Sequence, residues 1–152
     1  MKKVISLFIS VIILLSLSGC TTKQYNVGIT QEIDGVKITV YNVYEVEYVF
    51  YASKKYYSKN GSLIKVFFTV TNTSDEKREI RRSDFTIKDG IINRKMYYEF
   101  SNMPGEIVNL PKNEMYQFYA VFDCKRSFIG NDLQFIWKET PSCAKQKRIW
   151  VL

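Results

Sequence analysis

Ser62-Leu63-Ile64-Lys65-Val66-Phe67-Phe68-Thr69-Val70-Thr71-Asn72-Thr73 is the stretch that decides the fold. Ile64, Val66, Phe68 and Val70 fall on one side of an extended chain, and Lys65, Phe67, Thr69 and Thr71 fall on the other. β-Branched and aromatic residues of this kind suit a pleated, half-buried surface. Asn72-Thr73-Ser74-Asp75 ends the run with side chains that hydrogen-bond their own backbone. A long strand with one apolar face needs a second layer to cover that face.

Working outward, Asn60-Gly61 precedes the strand, and both residues accept positive φ, so a hairpin turn is expected there. That turn would carry Lys54, Lys55, Tyr56, Tyr57 and Lys59 near its tip. Upstream, Val36, Ile38 and Val40 alternate with Lys37, Thr39 and Tyr41, and the pattern restarts after Asn42 with Tyr44, Val46, Tyr48 and Phe50. The slip at Asn42 predicts a bulge or a corner. Downstream, Lys77 to Arg82 reads as a charged connection carrying Ile80 inward. Phe85-Thr86-Ile87, Ile91 to Phe100, Met115 to Asp123, Leu133 to Trp137 and Arg148 to Leu152 supply further strands. No amphipathic helix is evident after residue 20. The expected class is all-β, an antiparallel sandwich of about seven to nine strands.

The other organising stretch lies at the start. Met1-Lys2-Lys3, the apolar run Val4 to Leu17 and the ending Leu17-Ser18-Gly19-Cys20 form a basic, an apolar and a small-residue segment, as in a secretory signal. The apolar run is shorter than the roughly 20 residues of a comfortable transmembrane helix. Leu17-Ser18-Gly19-Cys20 resembles the lipobox of bacterial lipoproteins. That resemblance implies cleavage between Gly19 and Cys20, a diacylglycerol/acyl anchor on Cys20, and residence at the cell membrane on the extracytoplasmic side. The expected division is 1–19 signal peptide (a helix), 20–32 lipidated N-terminus and flexible tether, and 33–152 folded domain.

Removing 19 of 152 residues leaves 133, enough for one domain. The signal contains two of the 22 Lys+Arg and none of the 15 Asp+Glu, so the mature balance is 20 against 15, or +5. This charge suits residence near anionic lipid or wall polymers and gives no reason to expect nucleic acid. The chain contains no histidine, which excludes Ser-His-Asp and Cys-His catalysis and the commonest zinc ligand. Glu99, Glu106 and Glu114 are scattered among turns, and Ser101 and Ser127 have no evident base partner. Asp84 and Asp89 are spaced unlike a calcium loop. No catalytic residue, metal or cofactor is expected. Cys20 is taken by the lipid, and Cys124 and Cys143 remain as a candidate disulfide worth roughly 3 kcal/mol. A simple meander would put those two cysteines at opposite strand ends, against a bridge.

Three segments together resemble the DUF4352 family of small exported bacterial proteins. They are Phe67 to Asp75 with its Asn-Thr-Ser ending, Asp84 to Gly90, and Leu110-Pro111 leading into Tyr119-Ala120-Val121-Phe122-Asp123. The resemblance spans about residues 33 to 138 and implies an immunoglobulin-like sandwich related in fold to the secreted mycobacterial antigen MPT63. Lys112-Asn113 departs from it, standing where that family usually has a glycine-containing turn. No catalytic residue comes with the resemblance.

The functional expectation is a membrane-anchored, non-catalytic binding or accessory domain that recognises an envelope protein or polymer. Its candidate patches are Lys54, Lys55, Tyr56, Tyr57 and Lys59 with Arg78, Arg81 and Arg82. A surface immunity or phage/plasmid exclusion lipoprotein is the alternative; an enzyme or a structural spacer fits less well.

Overall fold

The computed structural model describes residues 22–125, 133–138 and 147–152. Thirteen strands occur among them: β1 (Thr22–Asn26), β2 (Thr30–Ile33), β3 (Val36–Val46), β4 (Tyr48–Tyr51), β5 (Lys54–Tyr57), β6 (Ser62–Asn72), β7 (Arg78–Arg81), β8 (Phe85–Asp89), β9 (Ile92–Lys95), β10 (Ile107–Leu110), β11 (Met115–Cys124), β12 (Gln134–Lys138) and β13 (Lys147–Val151). The fold is an all-β sandwich, as expected. One sheet runs β11-β6-β3-β2 and the other β1-β13-β12-β8-β9, with β10-β7 and β4-β5 as two-stranded ribbons. All neighbours are antiparallel except β1 and β13. The excess over seven to nine strands comes from ribbons and edge strands of four or five residues, too short to register as periodic patterns.

The central strand behaves as its alternation predicts. Ile64, Val66, Phe68 and Val70 are fully buried between the sheets. Phe68 contacts Phe85, Phe118 and Phe135 at ring-centroid distances of 4.9, 5.8 and 5.5 Å. Aromatic pairs of this kind contribute about 0.5–1.5 kcal/mol each beyond the area they bury. The slip at Asn42 is a register shift between Val40 and Asn42 against β6. There the Asn42 side chain accepts a hydrogen bond from Val43 N at 2.9 Å.

Several expectations change: Lys77 to Arg82, expected as a connection, contains β7, held by its pairing with β10. The segment 20–32, expected to be a flexible tether, forms β1 and β2 over much of its length. Backbone pairing with β13 and β3 specifies these strands, so the side-chain sequence carries little trace of them. The hairpin turn lies at Ala52-Ser53, between β4 and β5, and not at Asn60-Gly61. Ala52 and Ser53 take φ of +47° and +63°. Asn60-Gly61 is instead the corner into β6, where a Cβ on Gly61 would stand 2.7 Å from Lys125 O.

The two ends of the sandwich differ. Ser62 and Cys124 share the upper end with Asp89, whose carboxylate accepts Lys125 N at 2.6 Å. Asn72 and Val36 share the lower end with Thr22 and Lys147. An Arg148-to-Glu32 hydrogen bond of 3.0 Å ties the sheets together there. β11 and β12 lie in different sheets, so no meander joins them. Cys124 is buried, whereas Cys143 and Cys20, with the whole of 1–19, lie outside the described residues.

The resemblance motifs have structural jobs. Asn72 is fully buried, donates to Glu76 O and Leu110 O at 2.7 and 2.8 Å, and accepts Ser74 N and Ser74 Oγ. Asp84 accepts Arg81 N at 2.8 Å at the single-turn 3-10 helix Arg82–Asp84. Asn113, in place of a glycine, adopts φ +62°.

A candidate aromatic cleft

Along β6, Leu63, Lys65 and Phe67 point away from the core, and Val121 and Asp123 lie opposite the first two on β11. Leu63 and Val121 are nevertheless buried, because two further segments cover them. One is the β4-β5 ribbon. The other runs from Tyr97 through the 3-10 turn Tyr98–Phe100 to Asn102. This second segment is zipped onto β11 by Tyr97 N to Val121 O at 2.8 Å and Tyr119 N to Asn102 Oδ1 at 2.6 Å.

Between the two segments lies a cleft of about 240 Å³ lined by Tyr51, Tyr56, Tyr57, Lys59, Leu63, Tyr97, Glu99 and Phe100. Phe100 joins the walls, with centroids 5.1 Å from Tyr56, 6.1 Å from Tyr51 and 5.6 Å from Tyr97. Lys59 and Glu99, opposite in sign, line the same space and form no ion pair with each other among the described residues. Lys55 Nζ sits 4.1 Å from the Tyr48 ring centroid on the same ribbon.

One carboxylate positions both walls. Asp123 accepts Ser58 Oγ, Lys59 N and Asn60 N at 2.5, 3.0 and 3.2 Å, and the Tyr97 hydroxyl at 3.2 Å. Burial pushes its pKa up, but these four hydrogen bonds outweigh burial and hold it below the usual carboxylate value. Burial first, then the Asp123 charge, pushes the Tyr97 phenol above its ordinary value.

The expected patches separate. Tyr56, Tyr57 and Lys59 line the cleft, and Lys54 and Lys55 flank it as exposed residues of β5. Arg78, Arg81 and Arg82 lie near the other end of β6, where β7 pairs with β10 and Leu110 meets Asn72. Arg78 Nε donates to Ser74 Oγ at 3.2 Å, and Arg82 donates to Met103 O. From Ser62 to Asn72 β6 spans roughly 33 Å at about 3.3 Å per step, so the two basic groups cannot form one surface. Sequence reasoning missed Tyr51, Tyr97, Glu99, Phe100 and Asp123. The cluster Tyr97-Tyr98-Glu99-Phe100 was the available signal, but it reads as a strand until the 3-10 turn is seen. Among the described residues no group of three or more His, Cys, Asp or Glu side chains could hold a metal ion, and no helix is long and apolar enough to cross a membrane.

No family model and no curated protein matches the chain, so the DUF4352 resemblance carries no more than the fold. Solved structures do match. The yjhA protein from Bacillus subtilis is 13% identical with a TM-score of 0.62, covering 84% of this chain and 98% of that one. An uncharacterised β-sandwich protein from Clostridium difficile 630 is 18% identical with a TM-score of 0.53, covering 89% and 97%. The candidate lipoprotein ycdA from Bacillus subtilis is 12% identical with a TM-score of 0.60; 81% of this chain matches 38% of that one. At these identities the likeness is one of fold: the chain is similar to bacterial β-sandwich proteins.

Proposed function

We propose that this protein is a membrane-anchored extracytoplasmic lipoprotein whose non-catalytic β-sandwich recognises a protein or polymer of the cell envelope. The observation carrying this reading is the aromatic cleft at the upper end of the sandwich, set far from the point where the chain enters the fold. Leu17-Ser18-Gly19-Cys20 supports the anchor, and a solved neighbour of the same fold is itself a candidate lipoprotein. Cys20 precedes β1 by two residues, a reach of about 7 Å. With β1 starting at the lower end, an anchor on Cys20 holds the cleft roughly 30 Å away from the bilayer, open to the envelope. Large, rigid aromatic side chains with polar tips suit recognition without chemistry. A photoreactive residue at position 57, in the cleft, tests this in intact cells against one at position 71, on β6 near the opposite end of the sandwich. A discrete adduct from position 57 alone is expected; equal adducts from both, or none from 57, contradict it.

A further inference from the structure

We propose that the cleft binds an alkylated ammonium zwitterion of the phosphocholine kind, the ammonium among the rings and Glu99 and the phosphate at Lys59. This deepens the reading of the cleft as a recognition site and rests on it.

Ring geometry narrows the ligand class. Tyr51 and Tyr56 are inclined at 65°, Tyr51 and Phe100 at 71°, Tyr56 and Phe100 at 47°, and Tyr97 and Phe100 at 52°. These rings touch one another at centroid distances of 5.1 to 6.2 Å and none of the pairs is parallel, so they make a continuous, faceted aromatic wall rather than one flat platform. Mutually tilted rings instead form walls around a void, the arrangement that receives a cation on several faces. The space of about 240 Å³ suits a headgroup-sized molecule.

Charge narrows it further. A bare cation would meet Lys59 in the same cleft, and a bare anion would meet Glu99. A molecule with both charges a short linker apart satisfies both residues. Tyr51 and Tyr57 are 47% and 55% exposed, so their rings are open to a ligand. The fold already seats ammonium groups on aromatic faces: Lys55 Nζ lies 4.1 Å from the Tyr48 centroid, and Lys65 Nζ lies 3.9 Å from that of Tyr119.

The test is a calorimetric or NMR titration of the full chain in phospholipid-free detergent. The probes are phosphocholine, tetramethylammonium and the neutral isostere 3,3-dimethylbutanol. Phosphocholine should bind best, tetramethylammonium more weakly, and the neutral isostere not measurably. Tyr56→Leu, which keeps apolar bulk on a partly exposed residue, should weaken phosphocholine about tenfold. Lys59→Gln should weaken phosphocholine while sparing tetramethylammonium. Glycerophosphocholine and phosphatidylcholine vesicles then separate a soluble or polymer-borne headgroup from a lipid one, and binding of either supports the proposal. Equal binding of the neutral isostere, or an unchanged affinity in Tyr56→Leu, overturns it. Binding of N-acetylglucosamine or a proline-rich peptide with phosphocholine silent also overturns it, while leaving the cleft a recognition site. Loss of the position 57 adduct in cells is the separate failure of the underlying reading.

Discussion

Ser58 Oγ donates to Asp123 Oδ1 at 2.5 Å, joining residues 65 positions apart and fastening the β4-β5 ribbon to the sheet. The same carboxylate holds Tyr97 from the other wall of the cleft. Asp123→Asn keeps the shape but weakens the acceptor for four donors. A loss of about 1–3 kcal/mol in urea unfolding is expected, together with altered tyrosine signals from the cleft. Asp123→Asn stability equal to wild type would contradict the latch.

The latch has a pH dependence of definite sign. Because the folded pKa of Asp123 lies below the ordinary value of about 3.9, its contribution is complete well above that value. The contribution is lost as the pH falls through the folded pKa. Wild type should therefore lose more stability than Asp123→Asn between about pH 5 and pH 2, measured by thermal melts at stepped pH. Parallel curves for the two proteins would show that Asp123 is not held charged by these donors.

Asn72→Ala would remove a side-chain donor from the buried Leu110 carbonyl and one of two donors from the Glu76 carbonyl, which keeps Ser74 Oγ. The expected cost is about 2 kcal/mol, with an unchanged cleft, read by denaturant midpoint and by ligand titration. A cost below about 0.5 kcal/mol would show that water replaces the side chain there.

The contrast between Asn72 and Asp123 shows what the sequence makes legible. Alternation around Phe68 reveals the central strand and its buried face, because every second residue answers to one local environment. Asn72 ends that strand by local bonding, which a reader of the chain can expect. Asp123 acts over 63 to 65 positions through a ribbon whose turn uses Ala52 and Ser53 at positive φ, residues that give no turn signal. Asn60-Gly61 gives a strong signal and is used as a corner. Three of the eight cleft residues, Tyr56, Tyr57 and Lys59, are therefore legible as a patch in the sequence. The remainder is hidden because residues such as Glu99 and Phe100 reach the cleft only through tertiary packing.

Gly61→Ala tests that corner. At φ +153°, a Cβ would press on Lys125 O at 2.7 Å. Strain of about 1–3 kcal/mol is expected, with faster proteolysis of the β4-β5 ribbon. Wild-type stability and protease resistance would mean that the corner relaxes freely.

Cys20→Ser should release the domain from the membrane fraction or leave the precursor uncut, followed by fractionation and intact mass. Normal maturation and retention would remove the anchor from the account.

The most direct measurement is the photocrosslink from position 57 in intact cells, compared between chains with and without Tyr56→Leu, which removes an aromatic face from the cleft wall. The account predicts one discrete envelope adduct in wild type, reduced about tenfold in the variant at equal protein level and equal membrane retention. An adduct of undiminished yield in the variant would place recognition elsewhere and contradict the claim that the cleft performs it.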